Sequence, residues 1–502
     1  MLNSVNRFIP DNLIAYQSSD DYKNKKRRLI DKKQKQLNTV FLNSIEEAFD
    51  LYNIKSEMCL SFHHHLRNGD FVIQKVCEVI KEKNLKNLHF APSSIFPSYT
   101  NMVDLIKNGN ITNIHTNYLN GPVAKTISEG NLSGKLIMNT HGGRARLIES
   151  GDLKINIAFI ACPVVDKLGN GTGSYGKSAC GTLGYAISDL EYADVVILVT
   201  DTIVEKIEHN QIDGSYVDAV IQINQIGDSN GIISGTTKLT KDPIGLKIAK
   251  ECSMILKELG VIKNGFSMQT GAGKTSLAVV KYIRDIMIED GIKGSFASGG
   301  ITASYVQMLE EKLFDNLYDV QCFDLEAVES YHKNKKHLAM SASQYGNPFE
   351  NNTVASRLSF VVLGAAEIDL DFNVNVTTDS MGYLIGGSGG HADIAHEAEL
   401  TIVISPLIKS RIPLIKDGVM TVTTPGCDID MLITERGIAI NPNRVDLLEK
   451  LKNSHFPLVE ISELYDITHK ITGVPKKILK SNEIIGYVEY RDGSIIDCIY
   501  KI

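Results

Sequence analysis

No stretch of this 502-residue sequence approaches the 18 or so consecutive apolar residues of a membrane-crossing helix; the longest apolar run, at 155–165, suits a buried strand. An excess of positive charge is missing too. A formal net charge of -7 and a pI near 6.0 argue against nucleic-acid binding, which needs a basic surface for phosphates. The opening residues, MLNSVNRFIP, lack the apolar core of a secretory signal. The 8 cysteines occur singly, with no CxxC pair and no short disulfide framework. These absences lead to the expectation of a reduced, cytoplasmic protein without nucleic-acid or membrane partners.

What is present is the composition of a soluble globular chain, 43% hydrophobic and 22% charged. Its length suggests about two to four domains. Residues 1–40 read as a polar, basic extension. Its stretch YKNKKRRLIDKKQKQ is either a solvated arm or a docking patch for an acidic partner. Beyond it, IAFIAC, DVVILVT, LSFVVLG and ELTIVIS have the look of strands buried on both faces, the habit of parallel sheets with helical crossovers. The segment 242–260, DPIGLKIAKECSMILKELG, has a proline in its first turn, helical apolar spacing and a closing glycine, and predicts a helix connecting two halves.

A faint internal repeat supports two halves. At one constant offset, Asp166 falls on Asp371, Asn170 on Asn375, Gly181 on Gly386, Gly184 on Gly389 and Ala193 on Ala398. A neighbouring offset lays His63–His65 of SFHHHLRNGD over the TGA of 270–272. The expected fold is therefore α/β, one unit used twice: a first domain at 41–236 and a second at 237–502, each a mainly parallel sheet flanked by helices.

Several motifs could carry chemistry. QTGAGKTS at 269–276 lacks the leading glycine of a phosphate-binding P-loop, because Met268 stands there. It still opens a helix, so backbone N–H groups from Gly271, Ala272 and Gly273 onward would point at an anion or a developing oxyanion. GGSGGHAD places Gly386, Gly387, Gly389 and Gly390 before another helix, where glycine permits close approach of backbone to a ligand. Glu367, in AAEIDLD, ends an apolar strand, a position where ligand sites of such sheets gather; a cap or ion pair is the bland reading. Arg144 and Arg146, in THGGRARLIESG, carry guanidinium forks suited to carboxylates, or simply start a solvated helix. For the three histidines, no cysteine or acid at metal-site spacing completes a ligand set, so no metal is expected.

Taken together, SFHHHLRNGD, THGGRARLIESGDL, QTGAG, AAEIDLDFNVNV, GGSGGHADIA and TERGIAINP resemble the citrate lyase alpha-subunit family over about residues 40–475. More broadly they resemble CoA-transferases and acetyl-CoA hydrolases. The resemblance implies two tandem NagB/RpiA-like, CoA-transferase-like domains. It also implies a transferase that exchanges the acetyl group on an acyl carrier protein for citrate, releasing acetate. The substrate thioester would be a CoA-type arm on the acyl-carrier (gamma) subunit, with no tightly bound cofactor. A citryl-lyase (beta) subunit would then cleave the product, within a cytoplasmic oligomer. Relatives that use a covalent glutamate carry it after the first glycine loop; the matching stretch here, KGSFASGG, has no acid. Direct attack by a substrate carboxylate, through a mixed anhydride, is the expected route. On that reading His63, His65, Arg67, Arg144 and Arg146 would line the citrate pocket, the two glycine loops would supply oxyanion donors, and Glu367 would orient a hydroxyl or the pantetheine arm. A citramalate lyase alpha subunit or another acetate-type CoA-transferase is the alternative.

Overall fold

The computed structural model describes residues 1–18, 29–36, 38–233, 240–271, 273–475 and 480–502. The first part of the basic run in the extension (22–28), Ala272 of the first glycine loop and the expected domain junction at 236–237 lie outside these. Two large sheets organise the rest. The first is ten-stranded and is built from β1 (Val40–Leu42), β2 (Cys59–Phe62), β3 (Leu88–Pro92), β4 (Ile111–Thr116), β5 (Leu136–Met138), β6 (Ile157–Ala161), β7 (Val195–Thr200) and β8 (Ala219–Gln222), plus two strands from the far end of the chain. The second is eight-stranded: β9 (Ser267–Thr270), β10 (Gly294–Ile301), β11 (Phe314–Cys322), β12 (His337–Ala339), β13 (Phe360–Leu363), β14 (Thr401–Ile404), β15 (Met431–Thr434) and β16 (Gly437–Ile440).

The repeat is real at the level of topology. The first sheet runs β8-β7-β6-β2-β3-β4-β5 and the second runs β15-β14-β13-β9-β10-β11-β12, so corresponding strands occupy corresponding places. The runs read as doubly buried strands are β6, β7, β13 and β14, buried at nearly every position and parallel to one another within each sheet, as helices covering both faces require. The connecting helix spans Pro243–Glu258: the Asp242 side chain accepts the Gly245 N–H at 3.1 Å, Pro243 takes the first turn, and Gly260 beyond its end has φ +68°.

The alignment of the halves needs one correction. The strand Glu367–Asp369 is the counterpart of Val164–Asp166, so Asp166 matches Asp369 rather than Asp371. The two aspartates make the same turn: Asp166 Oδ1 accepts the N–H groups of Leu168 and Asn170, and Asp369 Oδ1 those of Asp371 and Asn373. The slip is two residues, one period of a strand, which leaves the inward and outward pattern unchanged and is invisible to it.

The second domain does not keep the chain to residue 502. β17 (Ile484–Glu489) pairs parallel with β5 and antiparallel with β18 (Ile495–Tyr500), so the C-terminal hairpin completes the first sheet. Residues 1–18 pack on that hairpin, where Arg7 Nε lies 3.3 Å from Asp497. Lys32, Lys33 and Lys35 of the basic extension pair with Glu191, Asp218 and Asp213 of the first domain; these described lysines clamp the chain's own acids.

Candidate functional site

In both sheets the chain fills strands on one side of β2 or β9, then returns to the other side at β6 or β13. At such a switch the loops leaving the carboxyl ends diverge and leave a crevice. His63–His65 and Arg67 follow β2 directly, and Gly271–Gly273 follow β9. The two halves meet here. The His64 carbonyl accepts from Gln321 Nε2 at 2.7 Å, and the Arg67 guanidinium lies 4.6 Å from the Phe323 ring centre. Gly389 donates its N–H to the Asn117 carbonyl (3.0 Å), and its own carbonyl accepts the His141 N–H (2.8 Å).

The cations nominated from sequence divide sharply. Arg144 forks onto Asp189 at 2.8 and 3.0 Å and also donates to Ser61 Oγ and the Ala91 carbonyl, all within the first domain. His63 Nε2 stands 3.0 Å from the same Asp189. Burial pushes the Asp189 carboxyl up, but Arg144 and His63 outweigh it and hold the group below the usual carboxylate range. Arg146 reaches Glu489 of the C-terminal hairpin at 3.1 Å and Asp152 at 3.3 Å. Arg144 and Arg146 are therefore placed as internal anchors and not as arms of a citrate pocket. Arg67 is different. It is 8% exposed, stacked between Phe96 and Phe323, with no carboxylate partner among the described residues. Among the described residues its guanidinium makes one hydrogen bond, a long 3.4 Å contact to the Ile232 carbonyl, and its Nε has none. Its φ of +52° is a left-handed conformation that a side chain adopts at a cost, the kind of strain that collects at functional sites. His65 is also buried, with neither ring nitrogen partnered among the described residues.

Around Arg67 lies a stack of rings. Tyr185 lies 4.4 Å from His64, 4.5 Å from His141 and 5.7 Å from His65, centre to centre. Burial is the first cause that drives the His64 and His65 pKa values well below normal and that of His141 down to about 3, so all three rings are neutral near pH 7. On the side of the second domain, Gln269 Oε1, Ser298 Oγ and Thr302 Oγ1 are buried without a partner among the described residues. Buried polar groups are normally satisfied, so this cluster of exceptions marks where a polar ligand belongs.

The two glycine loops differ. A Cβ on Gly386 or Gly387 would stand 2.3 or 2.4 Å from the carbonyl oxygens of Val376 and Asn117, and one on Gly390 2.2 Å from the Tyr345 hydroxyl. Gly387 thus lets the halves close on each other, while Gly386 and Gly390 permit close packing within the second domain. Gly271 and Gly273 meet nothing nearer than 3.6 Å and keep ordinary φ angles. The N–H groups of Gly271, Gly386 and Gly389 are held by the carbonyls of Val362, Thr377 and Asn117, which removes them as oxyanion donors; those of Gly387 and Gly390 have no acceptor among the described residues. Gly386→Ala is accordingly expected to lower the melting temperature by several degrees. Gly271→Ala should leave the melting temperature unchanged, and differential scanning calorimetry of the two variants checks the contrast.

Glu367 is not an open carboxylate. It accepts from Ser380 Oγ (2.6 Å), Asn375 Nδ2 (2.9 Å) and the Met420 N–H (2.9 Å), with Lys416 at 3.6 Å, so it fixes the turns of a small sheet instead of contacting substrate. Asp319, Cys322 and His337 bring three ligand-type atoms within 4.8 Å of one another in the second domain. They already form a closed network: Asp319 accepts from Cys322 Sγ and the Gln321 N–H and contacts His337 Nε2, whose Nδ1 meets Ser330 Oγ. A cation could enter only by displacing those bonds. Tyr185, His141, Asn117 and Gln269 were not singled out from sequence. His141 lies inside THGGRARLIESG, where the arginine forks drew the attention.

The family description "Citrate lyase, alpha subunit (CitF)" matches residues 38–502. The chain belongs to the citrate lyase alpha-subunit family. It is 43% identical to the citrate lyase alpha chain of Haemophilus influenzae over 460 residues, covering 91% of this chain and 92% of that one. The citrate lyase alpha chain of Klebsiella pneumoniae is 40% identical, with 92% and 91% covered. Among solved structures, one described as the alpha subunit of citrate lyase from Streptococcus mutans, in complex with citrate, superposes with a TM-score of 0.93 at 40% identity, covering 100% of this chain and 99% of that chain. A malonate decarboxylase alpha subunit from Acinetobacter baumannii shares the fold at a TM-score of 0.62 and 14% identity. A citrate lyase alpha subunit is thus a transferase component of a multi-subunit enzyme of citrate metabolism. No helix among the described residues is long and apolar enough to cross a membrane.

Proposed function

We propose that this alpha subunit exchanges the acetyl group of a CoA-type thioester for citrate, by direct attack of a citrate carboxylate and without a covalent glutamyl-enzyme. The carboxylate, already ionised at pH 7, attacks the thioester carbonyl; the C–S bond breaks and the thiolate leaves an acetyl–citryl anhydride. The thiolate then attacks the citryl carbonyl, and acetate departs. No proton need move. The site's work is to hold two acyl groups and a thiolate in line and to meet the charge that builds on oxygen.

One observation carries this reading: just before its last residue β10 bears Ser298–Gly299–Gly300, with Gly300 against the Phe323 ring on which Arg67, a buried cation without an acid among the described residues, is stacked. A side chain at 299 would strike Gln269 Nε2 at 2.5 Å, and one at 300 the Phe323 ring at 2.2 Å, so an enzyme carboxylate at either place would have to push those side chains aside. A citrate carboxylate against Arg67 would fill the vacancy in charge. The natural thioester is taken to be the arm of the acyl-carrier subunit, with the beta subunit consuming citryl-carrier.

The test is to incubate the purified subunit with acetyl-CoA and citrate. Citryl-CoA and acetate are the expected products. Borohydride or hydroxylamine should trap no acyl-enzyme, and a glutamyl thioester found by mass spectrometry would overturn the direct route. Citramalate run in parallel reads the preference for substrate.

A further inference from the structure

We infer that the Tyr185 hydroxyl is a catalytic hydrogen-bond donor to the oxygen of the reacting acyl group, and that His141 and Asn117 position its proton. The inference rests on the acyl-exchange reading and adds to it the donor that the glycine loops leave incomplete. Asn117 Nδ2 lies 2.8 Å from His141 Nδ1, and His141 Nε2 lies 3.1 Å from the Tyr185 hydroxyl. An amide N–H donated to Nδ1 leaves the ring hydrogen on Nε2, and Nε2–H then donates to the phenolic oxygen. The phenol's own hydrogen is left facing away from His141. No acceptor for it is present among the described residues, although the residue is 4% exposed.

Three features aim that hydrogen at a ligand. Buried polar atoms without a partner among the described residues lie nearby: both nitrogens of His65, whose ring stacks on Tyr185, Nε of Arg67 two residues on, and Oδ1 of Asn117 in the relay itself. The neutral imidazoles of His64, His65 and His141 pack against it, so no ion competes for the hydrogen. The relay is locked from the opposite domain, because Gly389 binds Asn117 through its N–H and His141 through its carbonyl. Gly389 has φ +51°, and a Cβ there would come within 3.2 Å of His141 Nε2. Closing the halves therefore sets the direction of the Tyr185 proton. In the exchange, oxygen gains negative charge as the carboxylate adds to the thioester carbonyl; the phenol donates a hydrogen bond to it and keeps its proton, and the bond weakens when the thiolate leaves.

The experiment measures acetyl-CoA/citrate exchange for wild type, Tyr185→Phe, His141→Gln, His141→Phe and the double variant Tyr185→Phe/His141→Phe. Removal of one oxyanion donor costs roughly 100- to 1,000-fold in kcat. Tyr185→Phe is expected to lose that much with KM for citrate little changed. His141→Gln, whose amide can still donate to the phenol, should keep at least about ten times the activity of His141→Phe. In the Tyr185→Phe background, the His141→Phe change should cost little, because a positioning residue acts only through the group it positions. An active wild type with Tyr185→Phe within a few-fold of it overturns the inference. So does equal activity of His141→Gln and His141→Phe, which also decides the matter if Tyr185→Phe does not fold. A wild type without exchange activity counts against the acyl-exchange reading itself.

Discussion

Arg144→Ala is expected to destabilise the protein by about 3–5 kcal/mol, the cost of breaking a buried ion pair by removing one partner. Asp189 is fully buried and receives both arms of the guanidinium; without them, of the described residues, only His63 remains to face it. The same cut takes the guanidinium donor from the Ala91 carbonyl of β3 and from Ser61 Oγ of β2, leaving them the 3.2 Å hydrogen bond that Ser61 Oγ donates to Ala91. Adding Asp189→Asn to Arg144→Ala should restore part of the loss, since removing both charges is less costly than orphaning one. Chemical denaturation of the three variants measures it, and simple additivity of the two changes would show that the pair is not coupled. The pair also sets a pH dependence. A carboxyl held below its unfolded value near 3.9 stabilises the fold above that pH, and the contribution is lost as pH falls toward the folded value. Wild type should thus lose stability below about pH 4.

The sheets were legible because doubly buried parallel strands leave unmistakable apolar runs, and the repeat because both halves keep glycines and caps at matching places. The two-residue slip between Asp369 and Asp371 was not legible, since a strand's period of two hides it. Nor was the return of β17 to β5, because strand pairing across the chain leaves no local mark. The same limit governs the site. That guanidinium groups matter was visible in THGGRAR and HHHLR; which acid each one meets was not. Arg144 meets an acid 45 residues away and Arg146 one 343 residues away, and only folding brings them there. Arg67 stands out for the opposite reason: folding brings it aromatic rings and no acid. Tyr185 and His141 escaped notice because a lone tyrosine or histidine has no signature until its hydrogen-bond partner is known.

Arg67→Ala should therefore behave as the reverse of Arg144→Ala. A buried cation without a counter-ion is a burden on the ligand-free fold, so its removal is expected to leave the melting temperature unchanged or raise it. Two effects oppose each other here: the lost stacking on Phe96 and Phe323 destabilises, and relief of an unpaired charge stabilises. The charge dominates, because burial has already pulled the guanidinium pKa below its ordinary value. Catalysis should respond in the other direction. Truncating one partner of a desolvated charge pair costs about 2–5 kcal/mol, or roughly 30- to several-thousand-fold in kcat/KM for citrate. Arg67→Lys should recover only a fraction, because an ammonium cannot make the planar two-point contact of a guanidinium or stack between two rings in the same way. Exchange kinetics and thermal melts on the same preparations separate the cases. Loss of stability without loss of citrate turnover would make Arg67 an anchor like Arg144; loss of turnover at full stability would make it the group whose missing partner is the substrate.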